Sequence, residues 1–167
     1  MSKKKPIKIS SQEQAFHQMN DMIMQIAKIY VRQHNKMQNF GVGVQLCRAE
    51  IHTIQAIGNH EGINISELAE FFDVSKPTIS ERIKKLIRLK LVEKELKDGN
   101  NKEVMLTLTD SGWQAYQCHE KQHKEIFKLF KSYFGKDTDA FLDSFGKDTQ
   151  KLYEFLNNVR TNTVYFQ

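Results

Sequence analysis

The side chains most able to do chemistry in this 167-residue chain form two groups: cations and hydroxyls between positions 75 and 102, and six scattered histidines. In the first group Ser75, Lys76, Pro77, Thr78, Ser80, Glu81, Arg82, Lys84 and Lys85 crowd together, and Lys97, Asn100, Asn101 and Lys102 follow around an Asp98-Gly99 pair. The whole chain carries a net charge of +5, yet nine basic and four acidic residues lie between 75 and 102, and Lys3, Lys4, Lys5 and Lys8 add to them. The remaining residues hold 12 basic and 16 acidic side chains. Positive charge gathered this way neutralises phosphates and releases their counterions. Short polar side chains beside it are suited to approach base edges. The chemistry expected here is recognition of a polyanion.

The elements that must position these groups are legible in the same stretch. NISELAEFF reads as a helix capped by Asn64, with Glu67 closing a capping box and Ile63 stapling onto Leu68. Leu68, Ala69 and Phe72 share one face. After a break at Asp73-Val74, Ser75 caps a second helix, with Pro77 tolerated in its first turn. There Ile79, Ile83, Leu86 and Ile87 make an apolar stripe opposite the cations and hydroxyls. The run VEKELKDGNNKEVMLTLT then alternates Val92, Leu96, Val104, Leu106 and Leu108 about the Asp98-Gly99 turn, a hairpin signal. The sequence therefore predicts a mainly α chain with a small β-hairpin wing: a winged helix-turn-helix, flanked by N- and C-terminal dimerisation helices. Such a module lays its second helix in a major groove and its wing tip near a minor groove.

ISELAEFFDVSKPTISERIKKLIRLKLVEK, the hairpin after it and LTLTDSGWQAY together resemble the MarR family of bacterial transcription regulators, over nearly the whole chain. The resemblance implies that Ser75 through Lys85 is the recognition helix, that the 97–102 loop is the wing tip, and that the terminal helices form a dimer body. Many members carry Asp-Arg-Arg at the tip, where this chain has Asn100, Asn101 and Lys102. A lysine lacks the planar fork of arginine, so a weaker or less selective wing contact is expected.

Helical periodicity marks both ends. Phe16, Met19, Ile23, Ile26 and Tyr30 alternate at spacings of three and four, from Gln12 to about Met37. Trp113, Tyr116, Ile126, Phe127, Phe130 and Phe134 precede a break near Gly135, and Phe141, Phe145, Leu152, Phe155, Leu156 and Val159 follow it. This apolar surface exceeds the needs of one small core, so a homodimer is expected, its recognition helices about 34 Å apart on a pseudo-palindromic operator. The organisation expected is a basic tail over 1–10, a dimerisation helix and connection over 11–47, the DNA-binding module over 48–110 and dimerisation helices over 111–167. With no apolar run of about 18 residues and no signal-peptide pattern, a cytoplasmic location is expected. Two cysteines, Cys47 and Cys118, are too few for a disulfide framework or a thiolate zinc site; Arg48 beside Cys47 leaves a redox role open.

The histidines offer a second chemistry. His119 and His123 stand one turn apart, a spacing that lets two imidazoles reach one metal ion. His34 and His52 are the further donors weighed, with Glu50 or Cys118 as additions, and the set is similar in position to that of zinc-responsive MarR members. The plainer expectation makes His52 a core or junction residue and puts His119 and His123 on a solvated or dimer-facing helix. Other members respond to small apolar effectors, which implies a pocket here lined by Met22, Ile26, Tyr30, Ile51 and Tyr116 or, more simply, core packing by those residues. His119-Glu120-Lys121-Gln122-His123 matches H-E-x-x-H by letter, but a charged helix without a substrate cleft argues against a metalloprotease. No glycine-rich phosphate loop or nucleophile elbow appears, so no enzyme and no required cofactor are expected. The leading expectation is an effector-released repressor binding double-stranded DNA; the alternative is a winged-helix protein-interaction module whose basic face meets an acidic partner.

Overall fold

The computed structural model describes residues 9–34, 36–60, 62–97 and 100–161, with the side chains of 33, 34, 97, 100–103, 160 and 161 outside the described set. The described residues fall into two compact units, one ending at His119 and the other beginning at Glu120. In the first unit, α1 (Ser11–His34) is followed by a two-residue hairpin of β1 (Gln38–Asn39) and β2 (Gln45–Leu46), then α2 (Arg48–Asn59), α3 (Ile65–Phe71) and α4 (Lys76–Arg88). The wing is β3 (Val92–Lys97) paired antiparallel with β4 (Asn100–Leu108). Helix α5 (Asp110–Phe134) runs on into the second unit, where a 3-10 turn (Gly135–Asp137) leads to α6 (Thr138–Thr161).

The capping signals work as the residue types dictate. Asn64 Oδ1 accepts the amide hydrogens of Ser66 and Glu67 at 2.8 and 3.1 Å, and Glu67 reaches back to the Asn64 N–H at 2.8 Å. Ser75 Oγ accepts from the Thr78 N–H at 3.3 Å and opens α4. Between the two helices the chain reverses through Asp73 at φ 49°, a left-handed position an aspartate tolerates. The core of this unit is built by Leu46, Ile51, Ile54, Leu68, Ile79, Ile83, Leu86, Leu91, Val92 and Leu106, all fully buried. It seals α2, α3 and α4 against the base of the wing.

The junction Leu108-Thr109-Asp110-Ser111-Gly112 between the wing and α5 has a steric reason. Thr109 Oγ1 donates to the Lys90 carbonyl at 2.7 Å and accepts the Gly112 N–H at 3.1 Å, so one side chain ties the end of α4 to the start of α5. A Cβ at Gly112 would overlap the Leu91 carbonyl oxygen. In the second unit the aromatic run folds on itself: Phe134 and Phe141 stack at 4.2 Å across the turn, and Phe130 and Phe145 extend the stack.

Three expectations are corrected. The first helix ends at His34 rather than near Met37, because Gln38–Asn39 already belong to β1, which pairs with β2 around a turn holding Gly41 and Gly43 at φ 82° and 72°. Within the expected 97–102 loop the described residues Lys97 and Asn100–Lys102 lie in strands: Lys97 pairs with Asn100 in the ladder, and the register shifts between Leu96 and Lys97. The apolar alternation of the hairpin is buried only at its base, since Leu96 and Val104 are exposed where the strands project beyond the core.

Candidate nucleic-acid interface

Helix α4 lies on the module with Ile79, Ile83 and Leu86 buried beneath it. A helix turns about 100° per residue, so the residues across from that stripe form the outer face. Lys76, Pro77, Thr78, Glu81, Lys84 and Arg88 are exposed there, with Ser75 at the N-cap; Ser80, Arg82 and Lys85 are half-buried at the flanks. Ser75 and Thr78 share a hydroxyl–hydroxyl hydrogen bond of 2.8 Å. The exposed Lys84–Glu81 pair at 2.6 Å is worth little in water, so Lys84 stays available to another anion. Arg88, and Lys90 just beyond the helix, are exposed cations the sequence reading missed; Arg88 continues the i, i+4 series from Lys84, the signal that could have found it.

Two cations of the expected interface have inward partners. Lys85 Nζ lies 2.5 Å from Glu50 Oε1, and Glu50 is buried on α2. The other Glu50 oxygen accepts the Cys47 N–H at 2.9 Å, closing the N-terminus of α2. Burial pushes the Glu50 carboxyl up, but the Lys85 ammonium and the Cys47 N–H outweigh it and leave it below the ordinary carboxylate range. Arg82 Nη1 donates to Thr53 Oγ1 at 3.1 Å, and its guanidinium carbon sits 5.7 Å from the centre of the Phe72 ring. Glu50 is thus engaged with Lys85 and Cys47, which removes it from the metal donors considered above.

At the wing, Lys97, Asn100, Asn101 and Lys102 occupy strand positions at the β3–β4 tip, and their side chains lie outside the described residues. Asp98 and Gly99 also lie outside the described residues.

Among the histidines, His52 and His119 face each other with ring centres 5.2 Å apart, and Phe40 lies edge-on to His119. His119 is buried, so of the solvated or dimer-facing settings expected for it the solvated one does not hold. His123 follows on α5 and belongs to the second unit. His34 ends α1, its side chain outside the described residues. Neutral imidazole nitrogens suit zinc and similar divalent ions. Of the expected pocket, Met22, Ile26 and Tyr30 are exposed on α1, Ile51 is closed inside the core, and Tyr116 donates its hydroxyl to Asn59 Oδ1 at 2.6 Å.

Comparison with known proteins places this arrangement. Residues 45–102 match the family model described as MarR family. The HTH-type transcriptional regulator PchR of Bacillus subtilis is 35% identical over 115 residues, 68% of this chain and 63% of that protein. The uncharacterized HTH-type regulator YhjH of the same organism is 30% identical over 95 residues, 57% of this chain and 54% of its own length. The chain therefore spans a little over half the length of these relatives. Among solved structures, Streptococcus pneumoniae FabT, crystallised in complex with DNA, matches at a TM-score of 0.68 and 21% identity, over 86% of this chain and 99% of that one. The zinc-responsive Lactococcus lactis ZitR matches at 0.63 and 18%, over 87% and 99%. These structures share the mostly helical fold with its small antiparallel hairpins. The family match across the winged module and the fold around it agree, and the chain belongs to the MarR family.

Proposed function

We propose that this protein binds double-stranded DNA as a homodimer and regulates transcription, as an effector-released repressor on a pseudo-palindromic operator. The observation that carries the reading is the outer face of α4: Lys76, Thr78, Lys84 and Arg88 exposed on a helix whose other side is locked into the core. Phosphate contacts from the cations fix orientation, and the N-terminal hydroxyls read base edges. The organisation that goes with it is a basic tail over 1–10, a dimerisation helix and connection over 11–47, the module over 48–110 and dimerisation helices over 111–167. Phe16, Met19, Met22, Ile26, Ile29 and Tyr30 stand exposed on α1, an apolar face that a second copy would cover.

The test is fluorescence anisotropy with a labelled random-sequence duplex at low salt. Reversing charge at Lys84 and Arg88 is expected to abolish binding. These sites are preferred to Lys85, where a glutamate would face Glu50 and confound binding with folding. An unchanged signal in Lys84→Glu with Arg88→Glu rejects the reading and favours the acidic-protein alternative. The facing rings of His52 and His119 support a second reading of the effector: these histidines would hold zinc, and the ion would bias the spacing of the recognition helices.

A further inference from the structure

We propose that Thr53 is a positioning residue of the nucleic-acid interface: from inside α2 it holds the Arg82 guanidinium in place for a phosphate on the flank of α4. The inference rests on the DNA-binding reading and adds a residue with no exposure of its own.

Thr53 is fully buried, and its hydroxyl is used twice. It donates to the Ala49 carbonyl at 2.8 Å, which fixes the rotor, and so presents a lone pair to Arg82 Nη1 at 3.1 Å. The Phe72 ring, 5.7 Å from the guanidinium carbon, supplies a second wall through its π face. The guanidinium is therefore gripped by α2 on one side and the end of α3 on the other, while its remaining N–H donors are left for another partner. Arg82 lies about 100° round the helix from exposed Glu81, at the edge of the outer face, where a groove-bound helix meets a phosphate wall rather than base edges. A free surface arginine loses rotamer freedom when it clamps a phosphate; one already held has less to lose. Lys85, on the same side of α4, is held by Glu50 one turn earlier in α2. Thus α2 touches both flank cations.

The test is a double-mutant cycle read by anisotropy on a labelled random-sequence duplex at low salt, with the folded state of each variant checked by circular dichroism. Thr53→Val keeps shape and removes the acceptor; it is expected to weaken binding by about three- to tenfold. In an Arg82→Ala background the same change is expected to do nothing, because the group it positions is gone. Thr53→Ser, which retains the hydroxyl, is expected to bind as the parent does. Equal losses from Thr53→Val in both backgrounds mean a purely structural role and overturn the proposal. If Thr53→Val does not fold, Arg82→Lys decides: it keeps the charge but cannot bridge threonine and phosphate, so affinity is expected to fall at least about threefold with the salt slope unchanged. Parent-like affinity in Arg82→Lys overturns the proposal. A parent that does not bind the duplex removes the DNA-binding reading and this inference with it; a parent that binds, with equal losses in the cycle, removes only the inference.

Discussion

Replacing Lys85 with methionine keeps the stem of the side chain and removes the cation from a buried carboxylate. Breaking a fully buried ion pair by deleting one partner costs about 3–5 kcal/mol. Here the Lys85 side chain is 37% exposed and that of Glu50 8% exposed, so water screens one end of the pair and roughly half that cost, about 2 kcal/mol, is expected at pH 7. The pH dependence carries the diagnosis. In the parent the Glu50 carboxyl is held below its ordinary range, so its stabilisation is present above the unfolded-state pKa and is lost as pH falls through the lower folded-state value. In Lys85→Met the upward push of burial loses its main opponent, so the deficit is largest at neutral pH and shrinks as pH falls into the carboxylate range. Urea unfolding of parent, Lys85→Met and Glu50→Gln with Lys85→Met, followed by circular dichroism at about pH 7 and about pH 5, reads all three terms. The double variant is expected to recover more than half of the loss, since no uncompensated charge remains. A loss below about 0.5 kcal/mol, or one that neither shrinks with pH nor recovers in the double variant, refutes the assigned coupling between α2 and α4.

Gly112→Ala is expected to destabilise by about 3 kcal/mol, because the new methyl would overlap the Leu91 carbonyl oxygen, whereas Gly146→Ala, with no described atom near its Cβ position, should be neutral or stabilising by up to about 1 kcal/mol; thermal unfolding of the two checks the contrast. If zinc is the effector, a roughly hundredfold excess over Kd should stabilise the parent by about 2.7 kcal/mol in a thermal shift assay, and His52→Ala and His119→Ala should each lose most of it; no shift in the parent ends the metal reading.

The local part of the design was legible residue by residue. Asn64 and Glu67, Ser75 and Pro77, and the stripe of Ile79, Ile83 and Leu86 encode two capped helices and their buried faces, because capping and amphipathic period act within a few positions. The Thr109–Gly112 junction was visible as a motif, but its reason, a backbone carbonyl from Leu91 pressed against the glycine, needed the packed chain. The short strands at Gln38–Asn39 and Gln45–Leu46 gave too little periodicity to register. Leu96 and Val104 misled, since alternation marks a strand without saying how far the core extends beneath it.

By itself the sequence determined that a cationic helix follows a capped partner and precedes a hairpin, since each of those features rests on neighbours in the chain. Which cations stand free and which are held was decided only by tertiary structure. Arg82 is fixed by Thr53, 29 residues away, and Lys85 by a carboxylate on that same distant helix. A charge pattern records sign and face; the freedom of each charge depends on what packing brings beside it.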